Sequence, residues 1–556
     1  MVLRKIMNSE LPVLTPYSTS ELVFGLVCAV GTGLDLVIKT IKDRLSIFGY
    51  TVEVIDVADD ILSGFNKDFR EKGIKIDRYK DNYGYTYDNS NNKRKPGKYE
   101  ATHEMMDVGN SLRGANLGLL GMGIVERILN YREKQGREGN ILPKTAFIIK
   151  SLKNEAEVDV LRSVYGNGFY LFGVHSDEER RLDYLKKKGM DEKSAKDLIK
   201  RDEHEEPGYG QQTRDTFRLS DFFVSNKDST SNVQANILRI MDLIFGDPFI
   251  TPTFSEYAMF SAYCASLRTA DLSRQIGAVI CKGKDILASG ANECPQYGGG
   301  QYWLEYDNED NRYYDFIGGR DHMLGFDSNK REFQKLAIES FDVIIELIQE
   351  AVDRCENELE RQTISKKLAE IVGEEKINKN FVKKLKDETG LGDLTEYGRV
   401  VHAEMEALSA CARNGISCKG GELYCTTFPC HVCTKHLIAA GITKVVYIEP
   451  YPKSKALDLF KDSISTDESD KGEKIVFTPF FGVGPRRFIE LFSMNYTPLL
   501  PKIRKDPDGN KKEWNPDNAI VRDQMLPSSY IEREINYATT YSEWVSMLFT
   551  EEEETL

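Results

Sequence analysis

The segments His402-Ala403-Glu404 and Pro429-Cys430-His431-Val432-Cys433 organise the C-terminal half of this 556-residue chain. One imidazole and two thiolates at this spacing can fill three corners of a tetrahedral zinc site, leaving the fourth corner open as catalytic zinc requires. Glu404 follows the histidine by two positions and would face the open corner. We therefore predict His402, Cys430 and Cys433 as zinc ligands and Glu404 as the catalytic acid and base. Two structural cysteines and a core histidine would be the alternative, but five typed positions would then coincide by chance.

The sequence around these segments alternates between helical and strand patterns, which predicts an α/β domain over residues 250–500. Both ligand segments are expected at helix N-termini, where the partial positive charge stabilises a thiolate. His431 should then face away from the metal, and His436 should lie on the helix surface. Residues 297–400 interrupt the pattern; helices predicted over 333–368 and 374–388 would serve as a lid or an oligomer contact.

The composition limits the function classes. Hydrophobic residues make up 40% and charged residues 29% of the chain, as in ordinary globular proteins. A net charge of -14 disfavours a general nucleic-acid binder, which needs a basic face to replace counterions. Ten cysteines are too few for a disulfide scaffold, and the best apolar run, residues 22–30, is too short to span a membrane. These features predict a cytoplasmic protein that binds neither DNA nor membranes.

The N-terminal half begins with a predicted buried strand over residues 22–30, a turn at Gly31-Thr32-Gly33 and a helix over 34–48. This layout can place a phosphate at a helix N-terminus, so the three turn residues are candidate nucleotide-binding positions. A phosphate-binding P-loop, however, carries a lysine and a shorter glycine spacing, and here Asp35 would repel phosphate. A strand-to-helix turn without a ligand therefore remains the alternative.

Two resemblances extend these predictions. The strand and helix order over about residues 20–235 resembles P-loop nucleotide kinases with degraded kinase chemistry. Residues 250–500 resemble the deoxycytidylate deaminase branch of the cytidine deaminase superfamily. The segments that carry this second resemblance are residues 266–271, 274–279, 289–292, 401–404 and 428–433. Together, the two halves resemble the two-domain dCTP/dCMP deaminases of bacterial anti-phage defence.

The resemblance implies zinc-dependent deamination of free dCTP or dCMP to the uracil nucleotide, and depletion of the dCTP pool during phage infection. It also implies a homo-oligomer and regulation by a small RNA. The expected substrate contacts are Asn292 on the sugar and the backbone of Thr427 and Phe428 on the base. Arg268 and Arg274 are expected on phosphate, with surface ion pairing as the alternative, and Arg486 and Arg487 on a triphosphate. The alternatives are a base deaminase of tRNA or single strands, and a nucleotide-sensing module whose deaminase activity is secondary.

The expected organisation is a leader over residues 1–20 and a degenerate P-loop-kinase-like parallel-sheet domain over 21–245. A cytidine-deaminase-like α/β/α domain over 250–500 follows, with its insertion at 297–400. Residues 501–556 are polar and end in an acidic run at 551–554, which predicts a surface extension.

Overall fold

The computed structural model describes residues 19–72, 98–137, 141–203, 212–226, 230–354, 357–372, 375–389, 391, 396–451, 453–496 and 500–550. Internal contacts divide the chain into two compact units. By their order in the sequence alone, we call Met1–Tyr257 with Phe480–Leu556 the outer unit, because it contains both chain ends, and Ala258–Pro479 the inner unit. Nearly all of the predicted leader and the whole acidic run at 551–554 lie outside the described residues.

The described elements are numbered along the chain. The strands are β1 (Leu22–Cys28), β2 (Thr51–Asp56), β3 (Thr145–Leu152), β4 (Phe169–His175), β5 (Phe222–Ser225), β6 (Gly277–Lys282), β7 (Asp285–Ala291), β8 (Glu305–Asp307), β9 (Arg312–Tyr314), β10 (Glu422–Thr427), β11 (Lys444–Glu449), β12 (Ile464–Ser465), β13 (Ile475–Pro479) and β14 (Gly482–Val483). The helices are α1 (Asp35–Ile47), α2 (Ser63–Lys72), α3 (Lys98–Ala115), α4 (Leu119–Lys134), α5 (Glu155–Tyr165), α6 (Glu178–Lys187), α7 (Glu192–Glu203), α8 (Thr213–Phe217), α9 (Thr230–Ile244), α10 (Phe254–Ser266), α11 (Asp321–Leu324), α12 (Ser328–Asp353), α13 (Glu358–Val372), α14 (Glu375–Glu388), α15 (Ala403–Arg413), α16 (His431–Ala440), α17 (Ala456–Leu459), α18 (Pro485–Phe492) and α19 (Pro527–Thr550).

The outer unit is built on an open sheet in the order β14-β5-β4-β1-β3-β2. Strands β1 to β5 pair in parallel, and β14 runs antiparallel to β5. Every residue of β1 is buried. Val23 and Val27 enter one hydrophobic cluster, whereas Phe24 and Leu26 enter another. Apolar clusters on both faces are typical of a parallel strand covered on both sides, and explain the uninterrupted apolar run in the sequence.

The inner unit has its own sheet, in the order β12-β13-β11-β10-β6-β7. Strands β10 to β13 pair in parallel, and β6 and β7 form an antiparallel hairpin beside β10. Helix α15 packs directly on β7 because Gly290 has no side chain: a Cβ there would lie 2.1 Å from the carbonyl oxygen of Ala403. This close approach places the first turn of α15 at the site. The predicted mixed α/β architecture with parallel sheets is confirmed.

The unit boundary differs from the expected end of the second domain at residue 500. The inner sheet ends with β13 at Pro479, and β14 then joins the outer sheet. Helix α19 packs against α4, and its Tyr530 and Glu534 are buried. Residues expected to form a surface extension therefore supply part of the outer core, since the apolar side of α19 needs a partner.

The insertion also differs in detail from its prediction. The helix expected over 333–368 is two helices, because α12 ends at Asp353 and α13 begins at Glu358. The helix expected over 374–388 is present as α14. Within the described residues, no helix combines the length and apolar character needed to cross a membrane.

Candidate zinc-dependent active site

The three predicted metal ligands lie together in the inner unit. His402 is the residue immediately before α15, and Cys430 is the residue immediately before α16. The Nδ1 atom of His402 is 3.4 Å from the Sγ of Cys430 and 3.3 Å from the Sγ of Cys433. Their ligand atoms all lie within 4.8 Å of one another. Both helices therefore begin at the site, as the sequence predicts.

The electrostatics differ between the two thiols, because hydrogen bonding to Cys430 and burial raise the pKa of Cys433 well above its usual range. Hydrogen bonding with Cys433 and His402 lowers the pKa of Cys430 to about 4. Hydrogen bonding to Cys430 raises the pKa of His402 to about 9. The lowered pKa of Cys430 favours the thiolate that binds a metal ion, and metal binding to His402 displaces the proton that its raised pKa favours. One nitrogen and two sulfur donors at this separation fit zinc, for which they are preferred ligands.

Glu404 occupies the first turn of α15 and is buried. Burial raises the pKa of its carboxyl group above the ordinary value. Its side chain lines the same cavity as His402 and Cys430. A buried carboxyl with a raised pKa beside a metal site is suited to accept a proton and to return it.

This cavity has a volume of about 310 Å³ and is open on one side. It contains every predicted type of group: metal ligands, an acid and base, aromatic surface and cations. Its lining residues are Asp271, Ser273, Arg274, Ile276, Asn292, Asp321, Asp327, Asn329, Gly398, Val400, His402, Glu404, Thr427, Phe428, Cys430, His431, Tyr451 and Lys453. The volume is within the usual range for small-molecule sites.

Asn292 lines the cavity, but its amide is already used within the protein. Its Nδ2 donates to Asp271 at 2.8 Å and to the carbonyl of Arg274 at 2.7 Å. Its Oδ1 accepts from the backbone N–H of Ile276 at 2.7 Å. The side chain therefore holds the loop 271–276 in place. Direct binding of the sugar, as the sequence predicts, would require some of these bonds to be exchanged.

The two arginines predicted to bind phosphate have different environments. Arg274 lines the cavity, is about half exposed, and lies 3.5 Å from Glu449 and 5.3 Å from the Tyr451 ring centre. Arg268 is not among the lining residues: it donates to Gln301 at 3.0 Å and stacks 3.6 Å from the Trp303 ring centre. Arg274 is placed to meet an anion, whereas Arg268 holds the start of the insertion.

Thr427 ends β10, Phe428 follows it, and both residues line the cavity. The Thr427 hydroxyl lies 3.4 Å from Glu449, and the Phe428 amide donates to the Glu449 carbonyl at 2.7 Å. The Phe428 ring packs against Tyr447 at 5.0 Å. These contacts fix the backbone that connects the sheet to α16.

The remaining predicted residues belong to the outer unit. Arg487 is buried on α18, where it donates to Glu490 at 2.7 Å and to the carbonyl of Phe169 at 2.6 Å. Internal bonds therefore hold the guanidinium of Arg487, and its contact with a triphosphate stays a prediction that would require these bonds to be exchanged. Arg486 is exposed on the same helix. Gly31, Thr32 and Gly33 form the predicted turn after β1.

Several lining residues were not predicted. His431 lines the cavity although it was expected to face away, because it is the first residue of α16, which begins at the site. His436 is exposed, as expected. Lys453 adds a second cation to the lining, and Asp327 and Asn329 reach it from the insertion. Lys453 could have been predicted from the sequence, because it follows closely on the strand that ends at Glu449. The sequence contains no comparable signal for the two insertion residues.

Part of the inner unit matches a known protein family. Residues 252–449 match the model of the cytidine and deoxycytidylate deaminase zinc-binding region. The matched segment contains all three proposed zinc ligands and the buried carboxylate. A deaminase region of the cytidine and deoxycytidylate type in the C-terminal half is thereby confirmed.

Relatives cover only part of the chain. The ComE operon protein 2 of Bacillus subtilis (strain 168) is 38% identical over 80 residues, which are 14% of this chain and 42% of that protein. The deoxycytidylate deaminase of Enterobacteria phage T4 is 46% identical over 55 residues, 10% of this chain and 28% of that protein. The match thus spans less than half the length of these relatives.

A solved structure is also similar. The dCMP deaminase from the cyanophage S-TIM5, in complex with dCMP and dUMP, is 18% identical. The comparison covers 41% of this chain and 98% of that chain, with a TM-score of 0.20.

Proposed function

We propose that this protein is a zinc-dependent hydrolase that deaminates a free deoxycytidine nucleotide, dCMP or dCTP, to the uracil form. The observation that carries the proposal is the presence of His402, Cys430 and Glu404 on one cavity wall, with Arg274 and Lys453 in the same lining. The first group supports hydrolytic deamination, and the two cations support a substrate that bears phosphate. Relatives named deoxycytidylate deaminase support the choice of base and sugar.

The chemistry divides between the metal site and the protein side chains. Zinc held by His402, Cys430 and Cys433 would acidify a water molecule. Glu404 accepts one proton of the attacking water and delivers it to ring N3 of the cytosine, and it then passes the second proton of that water to the departing amine. Its burial supports this role, because the raised pKa makes the protonated carboxyl accessible. Water replaces the amine at C4, and ammonia leaves.

The direct test uses purified full-length protein with dCMP, dCTP, deoxycytidine and a cytosine-containing oligonucleotide. Ammonia release is measured together with formation of the uracil product. We expect turnover of at least one free nucleotide, and a rate lower by about 10²–10⁴-fold in Glu404→Gln, which preserves the side-chain volume. Turnover of the oligonucleotide alone would instead support a nucleic-acid base deaminase, which the net charge of -14 disfavours.

We further propose a role in depleting dCTP during phage infection, supported by the sequence resemblance to two-domain anti-phage deaminases. The same resemblance supports a homo-oligomer and restraint by a small RNA. In cells expressing the protein, the dCTP pool should fall after infection, and Glu404→Gln should abolish both the fall and the protection. Full protection by Glu404→Gln would favour the sensing-module alternative.

A further inference from the structure

Polar groups gather at the carboxyl end of β1 in the outer unit. Strand β1 lies between β3 and β4, so the strand order reverses beside it. Open α/β sheets bind ligands at such a position. The turn after β1 contains Gly31, whose φ of +81° requires a residue without a side chain. This is therefore the place in the outer unit where a phosphate group would be expected.

A side chain of the protein occupies this position. The carboxylate of Asp202, on α7, accepts the backbone N–H of Val30 at 2.7 Å. Its other oxygen accepts from Lys153 Nζ at 2.7 Å and lies 3.4 Å from the Thr213 hydroxyl. Lys153 also donates to the carbonyl of Cys28, the last residue of β1, at 2.8 Å. Backbone N–H groups, an ammonium and a hydroxyl are the donors that hold phosphates in glycine-loop sites.

The turn after β1 is covered by neighbouring parts of the outer unit. Asp202 is almost completely buried. A Cβ on Gly31 would lie 2.7 Å from the carbonyl oxygen of Arg181, so the backbone of α6 covers the turn. Within the described residues, the buried hydroxyl of Thr32 has no hydrogen-bond partner. The turn thus has polar groups suited to an anion, and an internal carboxylate that already takes two of the donors.

We propose that the turn after β1 is an anion site closed from within by Asp202, and that a phosphate group enters only when α7 withdraws this carboxylate. The competing explanation is an ordinary buried ion pair between Asp202 and Lys153 that only stabilises the fold. The two differ in one respect: a closed site gains an anion when the carboxylate is removed, whereas an ordinary pair leaves a buried ammonium without a replacement. The proposal is independent of the deaminase reaction.

The test measures binding of pyrophosphate and of ATP to the full-length protein by calorimetry, for wild type and Asp202→Ser. Removal of an internal competitor should raise the apparent affinity for both probes by about tenfold or more. Adding Lys153→Met to the variant should abolish the gain, which also excludes binding in the inner cavity. The midpoint of thermal unfolding of Asp202→Ser should rise with pyrophosphate, whereas that of the double variant should not.

Binding of both probes would identify phosphate as the recognised group, and binding of ATP alone would identify a nucleoside polyphosphate. A folded Asp202→Ser protein that gains neither would overturn the proposal. Tight pyrophosphate binding by wild type that disappears in Lys153→Met would also overturn it, because the site would then be open. If Asp202→Ser does not fold, Asp202→Asn keeps the side-chain volume, and the same titrations decide.

Discussion

Replacement of Arg274 by alanine should distinguish nucleotide from nucleoside. The guanidinium lines the cavity and is about half exposed. Hydrogen bonds to charged groups contribute about 1.5–3 kcal/mol when well shielded. Exposure screens this interaction, so about 1–2 kcal/mol is the better expectation, which corresponds to a factor of about 5–30. The variant should therefore lose about 5–30-fold in kcat/KM for dCMP, and less than about twofold for deoxycytidine.

The assay compares kcat/KM for dCMP and deoxycytidine in wild type and three arginine variants. Arg274→Ala loses a half-exposed 3.5 Å ion pair with Glu449 and a 5.3 Å contact with the Tyr451 ring, so its unfolding midpoint should change little. Arg268→Ala removes the contacts with Gln301 and Trp303, and should lower stability and affect both substrates equally. Arg312→Ala, at an exposed ion pair with Asp310, is the matched surface control. An equal loss for dCMP and deoxycytidine in Arg274→Ala would refute a phosphate-binding role.

Further measurements test the metal site, its titration and the outer core. Glu404→Gln should lower kcat by about 10²–10⁴-fold while zinc content by elemental analysis is unchanged, and loss of zinc would point to a structural role. A second test compares the unfolding midpoints of metal-free wild type and Cys430→Ala. The difference between them should increase from pH 4 to 6.5. In this range the Cys430 thiol keeps its proton in the unfolded state but loses it in the folded state, where its pKa is about 4. From pH 6.5 to 9 the difference should level off, because His402, with its pKa raised from 6.5 to about 9, then keeps a proton that the unfolded state loses. A steady rise to pH 9 would show that the two groups are not coupled. Arg132→Met should lower the free energy of unfolding by about 3–5 kcal/mol in urea titrations, because it leaves buried Glu534 without its 2.6 Å partner; a loss below about 1 kcal/mol would contradict the importance of this pair.

The candidate zinc ligands could be predicted from the sequence because they lie in two short segments with recognisable spacing. Cys430 caps the helix that contains Cys433, and helix N-termini at His402 and Cys430 follow from the apolar pattern that comes after each. Donor type, spacing and the adjacent Glu404 then restrict the chemistry to hydrolysis at a metal. The alternation of strands and helices similarly predicts the two α/β cores, since strand burial on both faces leaves a continuous apolar run.

The roles of the other polar residues depend on long-range packing, which single-sequence patterns do not contain. Arg268 and Arg274 are six positions apart, yet Arg268 stacks on Trp303 of the insertion, and Arg274 lines the cavity. Arg487 was predicted to contact a phosphate because it comes after a glycine-containing segment in the sequence, but the fold buries its side chain beside Glu490. Asp202 and Val30 are separated by 172 positions and meet only through the packing of α7. The sequence alone determined the candidate metal ligands over His402–Cys433, because these donors lie in short segments. Only the tertiary structure decided which charged side chains line the same cavity, because the position of each charged side chain depends on a partner from a distant segment.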